Sequence, residues 1–556
     1  MPGMAYDLVV KNALIVDGTG AKGYRGDIAV QDGRIVALGS VSGEAKHTID
    51  AGGQVAAPGF IDAHSHYDGQ LLWDPTIDPA TSHGVTTILM GNCGFTLAPV
   101  RPKDQDYLLG VFSATEEVPK SALLQHAPLG WESFGQYMTF MEKIDLGVNV
   151  ITQVGHSALR RYVMGEDALT REATTAEVDA MVRLAEEAMD DGAAGVSSSF
   201  SPAHVDESGG HVPSFIAAES EMEALAGAVR RKNKRLVSVN PRSKRDGLTK
   251  EDQAFLVRLA EASGAVVTWN DFGAQAPRWE ETLTFMEKEI ERGNQILVVA
   301  RCQPLETRFT LDMISPLYSG SKAWLEFCRL DRDAKVAALN DAGWRERLSE
   351  YWNNVLRYLD NAYVERMGRA DLQHLVGRKL TDIAEERGIG VVDTMFDIFR
   401  DDRMEPFILL RSKLQSDETN AERILKSPAA IVGISDGGAH LQTFSGADYP
   451  TYFLSHWVRD KRAFTIEEGV AALTSRAAEF VGLKDRGTLE VGKAADITIF
   501  NPDTIASEGL EILDFPGGGS RLRKNATGIP HVIVNGVPII ENGVLTGAVP
   551  GQMIRA

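Results

Sequence analysis

Two histidines one residue apart, His64 and His66, close a short apolar stretch that runs Val55-Ala56-Ala57-Pro58-Gly59-Phe60-Ile61-Asp62-Ala63. In an extended chain alternate side chains share a face, so both imidazoles converge on one point. Neutral imidazole is the commonest side-chain metal ligand, and the pair would supply half of a metal site. A packed or solvated pair of histidines is the plain alternative. Further polar groups follow other apolar runs: Gly91-Asn92-Cys93-Gly94, Gly155-His156-Ser157, Asn240-Pro241-Arg242, Asn270-Asp271 and Ser435-Asp436-Gly437-Gly438-Ala439-His440. Packing alone does not require polar residues at so many strand ends; a catalytic rim does.

The elements that must position these groups form an alternating pattern. Eight strand candidates are Phe60 to Ala63, Val85 to Met90, Val148 to Val154, Gly195 to Ser199, Leu236 to Val239, Ala265 to Trp269, Gln295 to Ala300 and Ala430 to Ser435. Amphipathic stretches such as Ala176 to Met189, Glu219 to Lys232, Lys250 to Ser263 and Glu280 to Arg292 fall between them. Repeated βα units of this kind predict an α/β fold, a (β/α)8 TIM-like barrel over residues 58–482, with chemistry at the C-terminal ends of its strands. About 130 residues separate Ala300 from Ala430, so a helical insertion is expected over 303–425, as a lid or substrate wall, with an oligomer contact as the alternative. Residues 1–57 and 483–556 carry short strand signals divided by Asp-Gly and Asn-Gly turns, which predicts a small β-sandwich domain built from both termini. Pro516-Gly517-Gly518-Gly519-Ser520, with Arg521, Arg523 and Lys524 behind it, reads as a flexible loop.

In order along the chain, Pro58-Gly59-Phe60-Ile61-Asp62-Ala63-His64-Ser65-His66, Gly91-Asn92-Cys93-Gly94, Gly155-His156-Ser157-Ala158-Leu159-Arg160 and Ser435-Asp436-Gly437 resemble the amidohydrolase superfamily, and within it the D-aminoacylase (N-acyl-D-amino-acid deacylase) branch. The resemblance implies a zinc site of His64, His66, Cys93 and Asp436, with Cys93 as thiolate and Asp436 as general base and then acid. It implies hydrolysis of the C–N amide bond of an N-acyl amino acid or a related small amide. Two further histidines of the family, at the ends of strands 5 and 6, are replaced here by Asn240 and Asn270. A carboxamide is a much poorer zinc ligand, so one ion is expected rather than two. Supply of the missing imidazoles by His204 or His211 remains open, as does a site that binds no metal well. Arg242, His156, Asn240, Asn270 and His440 are the candidates for substrate contact; for Arg242 a salt bridge in the rim is the alternative. The large insertion suggests a bulky substrate. Opening of a lactone or cyclic amide, C–C cleavage, and a non-catalytic subunit with a degenerate site are the competing readings.

Composition narrows the partners. The 556 residues carry a formal net charge of -20, which argues against nucleic acid and anionic membranes and leaves a small-molecule substrate, with a homo-oligomer compatible. Cys93, Cys302 and Cys328 are too few and too scattered for a disulfide framework, and Cys302 and Cys328 read as ordinary buried residues. No basic and apolar leader opens the sequence, and no apolar run nears the roughly 18 to 20 residues of a membrane span; a cytoplasmic protein is expected.

Overall fold

The computed structural model describes residues 6–274, 276–312, 321–354, 359–411, 417–514, 516 and 520–556. Eight parallel strands follow one another in chain order: Phe60–Asp62, Val85–Met90, Asn149–Thr152 continued by Val154–Gly155, Gly195–Ser199, Leu236–Asn240, Val266–Phe272, Ile296–Arg301 and Ala430–Gly433. Each pairs with its chain neighbour. The third strand breaks at Gln153, so its first half pairs backwards with Val85–Met90 and its second half forwards with Gly195–Ser199. The last strand returns to the first: the amide of His66 donates to the Gly437 carbonyl at 2.7 Å, and Ser435 Oγ donates to Asp62. Every residue of Val85–Met90 and of Ile296–Arg301 is buried, as expected for parallel strands covered on both faces.

Helices Thr175–Asp190, Glu219–Arg231, Lys250–Ser263 and Trp279–Glu291 carry the chain back between strands. Their ends are written locally. Thr174 and Glu177 form a capping box at the start of the first, and Gly264, at φ +61°, lets the chain leave the third.

Both chain ends meet in one nine-stranded sheet. Val55–Pro58 is its junction, parallel to Tyr6–Ile15 and antiparallel to Ile497–Phe500. Leu8, Val10, Ile28, Ile497, Ile499 and Ile533 pack its core. The same segment runs on into the first parallel strand, so this sheet anchors the start of the His64–His66 stretch.

Residues 303–425 are not simply helical. Glu306–Phe309, Phe407–Arg411 and Ala362–Arg366 form an antiparallel sheet, on which helices including Lys322–Cys328, Ala342–Asn354 and Val391–Asp401 build a separate core around Trp324, Trp352 and Phe396. Strands of four or five residues leave too few alternations to be seen in sequence. The amide of Arg308 donates to the Thr443 carbonyl at 2.7 Å, tying this unit to the loop after the eighth parallel strand. The basic run expected in a flexible loop also lies in regular structure. Ser520–Thr527 pairs with Ala506–Asp514, Arg523 faces Asp78 at 3.2 Å and Lys524 faces Asp448 at 3.2 Å. Residues 517–519 of that run lie outside the described residues. No described helix is long and apolar enough to cross a membrane.

Candidate metal centre

His64 and His66 follow the first strand and are almost wholly buried, with ring centroids 5.2 Å apart. Cys93 reaches them from the end of the second strand, where the chain takes a left-handed turn (φ +56°) that aims the thiol inward. One ligand atom from each of the three lies within 4.8 Å of the others. Asp436, also left-handed at φ +47°, brings Oδ1 to 3.4 Å from His64 Nε2 and 3.9 Å from His66 Nε2. Asp271, Ile434 and His440 share the left-handed conformation. Such strain in non-glycine residues gathers where side-chain aim matters more than backbone comfort.

Burial sets the protonation of this cluster. It lowers His64 to about 4, against the opposing pull of Asp436, and lowers His66 to about 3, helped by His64. Both imidazoles are therefore neutral near pH 7, the form that binds metal. Burial pushes the Cys93 thiol well above its ordinary value, with Lys244 opposing. A cation is what would make it a thiolate. Burial would also raise the Asp436 carboxyl, but His64 whenever it is protonated, and Arg301 with its permanent charge, outweigh it and hold the group far below the usual carboxylate range. A cavity of about 10 Å³, room for about one water-sized group, sits beside His64 and Cys93 and is lined also by Asn240 and Asn270. Neutral rings, a thiol, an ionised carboxylate and this space fit a small, borderline-soft divalent cation.

The two asparagines lie in this centre. Asn240 Nδ2 donates to Cys93 Sγ at 3.2 Å, and Asn270 Nδ2 sits 3.0 Å from His64 Nε2. A second cavity, of about 120 Å³, opens beside the cluster and is lined by His66, Cys93, Glu116, Lys244, Asp436 and His440 among others. His440 stands at its edge, Nδ1 3.3 Å from Glu117 Oε2; burial would lower this imidazole, but Glu117 overrides and raises it to about 9.

Two expected substrate contacts are not brought here. His156 is completely buried, 2.8 Å from Ser198 Oγ and 2.6 Å from Glu221 Oε1, in a network shared with Arg160. It opens the helix His156–Met164, and the turn carries its ring away from the cavity. Arg242 is exposed, with its guanidinium 5.2 Å and 4.9 Å from the ring centres of Phe200 and Phe215, a cation–π seat and not the rim salt bridge that was the alternative to substrate contact. Of the two loop histidines, His204 lines the larger cavity, whereas His211 stacks on Phe215 at 3.9 Å. Cys302 is buried, and Cys328 is part-buried.

Residues the strand-end reading passed over complete the site. Arg301, at the end of the seventh strand and 3% exposed, spans Asp271 (3.1 Å) and Asp436 Oδ2 (3.0 Å). Glu116 Oε1 lies 3.4 Å from His66 Nδ1 and Lys244 Nζ 3.5 Å from Asn270 Oδ1. Arg301 and Lys244 could have been found by extending the strand-end search by a few residues. Glu116 comes from the helix Gln105–Glu116, and no sequence signal marks it.

The family model described as "Amidohydrolase family" matches residues 47–540, nearly the whole chain. The chain belongs to the amidohydrolase family. This amidohydrolase is 28% identical to a D-aminoacylase of Alcaligenes xylosoxydans xylosoxydans over 99% of its own length and 97% of the relative's. It is also 28% identical to an N-acyl-D-aspartate deacylase of the same organism, over 99% and 95%. Among solved structures it superposes on D-aminoacylase with a TM-score of 0.67 at 25% identity, covering 99% of this chain and all of that one. An N-acyl-D-glutamate deacylase from Bordetella bronchiseptica, complexed with zinc and a phosphonate inhibitor, shares the fold at a TM-score of 0.68 and 24% identity, over 99% and 100%.

Proposed function

We propose that this amidohydrolase hydrolyses the C–N amide bond of an N-acyl amino acid, using one zinc ion held by His64, His66, Cys93 and Asp436. The carrying observation is the buried His64–His66–Cys93 cluster facing an ionised Asp436. The names of the full-length relatives supply the substrate class. When bound, the ion supplies a Lewis acid for the amide carbonyl and acidifies water at neutral pH. The chain's residues do the rest. Arg301 fixes Asp436 through Oδ2, leaving Oδ1 to accept the proton of the attacking water and return it to the leaving nitrogen. Asn240 and Asn270 present amide groups beside the cluster, where they can orient a polarised carbonyl. Glu116 faces the far nitrogen of His66, leaving Nε2 turned toward Asp436.

In this reading the eight parallel strands close as a (β/α)8 barrel over 58–482 and the terminal sheet is the small β-sandwich domain. The contacts of His66 and Ser435 between the first and last strands support the closure. The test is elemental analysis alongside hydrolysis of N-acetyl-D- and N-acetyl-L-amino acids. About one zinc per chain is expected, absent from His64→Ala and Cys93→Ser, with acetate released by the wild type. Zinc retained in both variants, or a zinc-loaded protein inert toward every N-acyl amino acid while opening lactones, would overturn the proposal.

A further inference from the structure

The 120 Å³ cavity beside the metal cluster offers a charge pattern that says more about the substrate. Three acidic side chains line it: Asp271, Asp436 and Glu116, the last raised by burial to about 8 and so mostly protonated at pH 7. Asp271 and Asp436 are answered by Arg301, at 3.1 and 3.0 Å. The protonated His440 is answered by Glu117, at 3.3 Å. Lys244 is different. Its ammonium is part-buried in the cavity wall, and among the described residues its hydrogen-bond contact is the neutral Asn270 Oδ1 at 3.5 Å, with no carboxylate within ion-pair distance. A part-buried ammonium held by one long neutral contact, with Asp271 acting on it only from beyond ion-pair distance, has lost water without gaining a directly paired counter-charge. Arg242 cannot take its place, because it sits outside on Phe200 and Phe215.

Asn270 supplies the scale. One end of its carboxamide touches Lys244 and the other lies 3.0 Å from His64 Nε2. A group paired with Lys244 therefore has its next few atoms beside the metal ligands, and in an N-acyl amino acid one carbon separates the carboxylate from the amide nitrogen. The remaining lining includes Thr115, Ser201, Ala203 and His204, with no large aliphatic or benzenoid side chain. That wall favours a short side chain over the bulky substrate suggested by the insertion.

Resting on the amide-hydrolase reading above, we infer that Lys244 is the anchor for the substrate's carboxylate, and that the enzyme takes N-acyl amino acids with a single carboxylate and a short side chain. A second carboxylate on the substrate would find Arg301 already paired with Asp271 and Asp436 and His440 already paired with Glu117, so that among the described residues no further cation lining the cavity is left to receive it.

The experiment uses the zinc-loaded protein with N-acetyl-D-alanine, its C-terminal amide N-acetyl-D-alaninamide, and N-acetyl-D-glutamate. Both kcat/KM and binding by calorimetry are recorded. The wild type should prefer the carboxylate to the amide by roughly 10²-fold, the usual scale for a desolvated charge pair, and should disfavour the glutamate. In Lys244→Met the carboxylate-to-amide ratio should collapse toward one, in Lys244→Arg it should largely persist, and Arg242→Met should leave it in place. A ratio that survives in Lys244→Met, or no binding of any of the three compounds to the wild type, overturns the anchor. Lys244-dependent binding without hydrolysis would uphold the anchor and overturn the amide-hydrolase reading instead.

Discussion

Replacing Arg301 by Met tests the electrostatic frame of the site. The guanidinium is 3% exposed and bridges two carboxylates, Asp271 at 3.1 Å and Asp436 at 3.0 Å, whose side chains are 28% and 14% exposed. Met fills much of the volume but leaves both carboxylates without their counter-ion. Removing one partner of a buried ion pair costs about 3–5 kcal/mol; because Asp271 keeps some contact with water, the lower end, about 3 kcal/mol at pH 7, is expected. The pH dependence carries its own sign. Arg301 helps hold Asp436 below its unfolded pKa, and such a group contributes stability that is present above the unfolded value near 3.8 and lost as pH falls through the folded one. In Arg301→Met the carboxylates take up protons at higher pH, which relieves the uncompensated charge. The deficit should thus be largest at neutral pH and shrink as pH falls toward 4. Urea unfolding of metal-free wild type and variant at pH 7 and pH 4.5 measures it, and Arg301→Met/Asp271→Asn should recover part of the loss. A variant within about 1 kcal/mol of wild type at pH 7, or a deficit that grows on acidification, would refute the reasoning.

Three further outcomes follow from neighbouring residues. Gly438 has φ +85° and an added Cβ would lie 2.4 Å from the His66 carbonyl oxygen, so Gly438→Ala should cost upward of about 2 kcal/mol and reduce zinc content; a normal melting temperature with full zinc would contradict this. Asn240→His/Asn270→His restores imidazoles at 3 Å range from Cys93 and His64, and zinc per chain should rise from about one to about two, read by elemental analysis. Burial raises Glu116 to about 8, so between its unfolded value near 4.5 and about 8 the folded protein holds a proton that the unfolded chain has lost, and stability falls as pH rises. Metal-free Glu116→Gln should lose less stability than wild type from pH 5 to 8; parallel curves would exclude this.

Local sequence determined the parts whose physics is local. His64 and His66 are fixed on one side by their spacing, the buried strands by apolar runs such as Ile296 to Ala300, and the helix ends by residues such as Thr174, Glu177 and Gly264. The ordered motifs also carried the family, because strand ends in a parallel βα repeat all face one way. What the sequence could not determine was direction within a turn. His156 and Arg242 stand at strand ends like Cys93 and Asp436, yet one turns under a helix to Glu221 and the other outward onto two aromatic rings. Only tertiary packing decided that. The same holds for charge: Arg301, Asp271 and Asp436 lie on three different strand ends, and Glu116 on a helix more than twenty residues past its strand. Their coupling depends on distances of 3 to 4 Å and on exclusion of water, neither of which a linear spacing encodes. The sequence set which groups reach the rim, and the fold set which of them face one another.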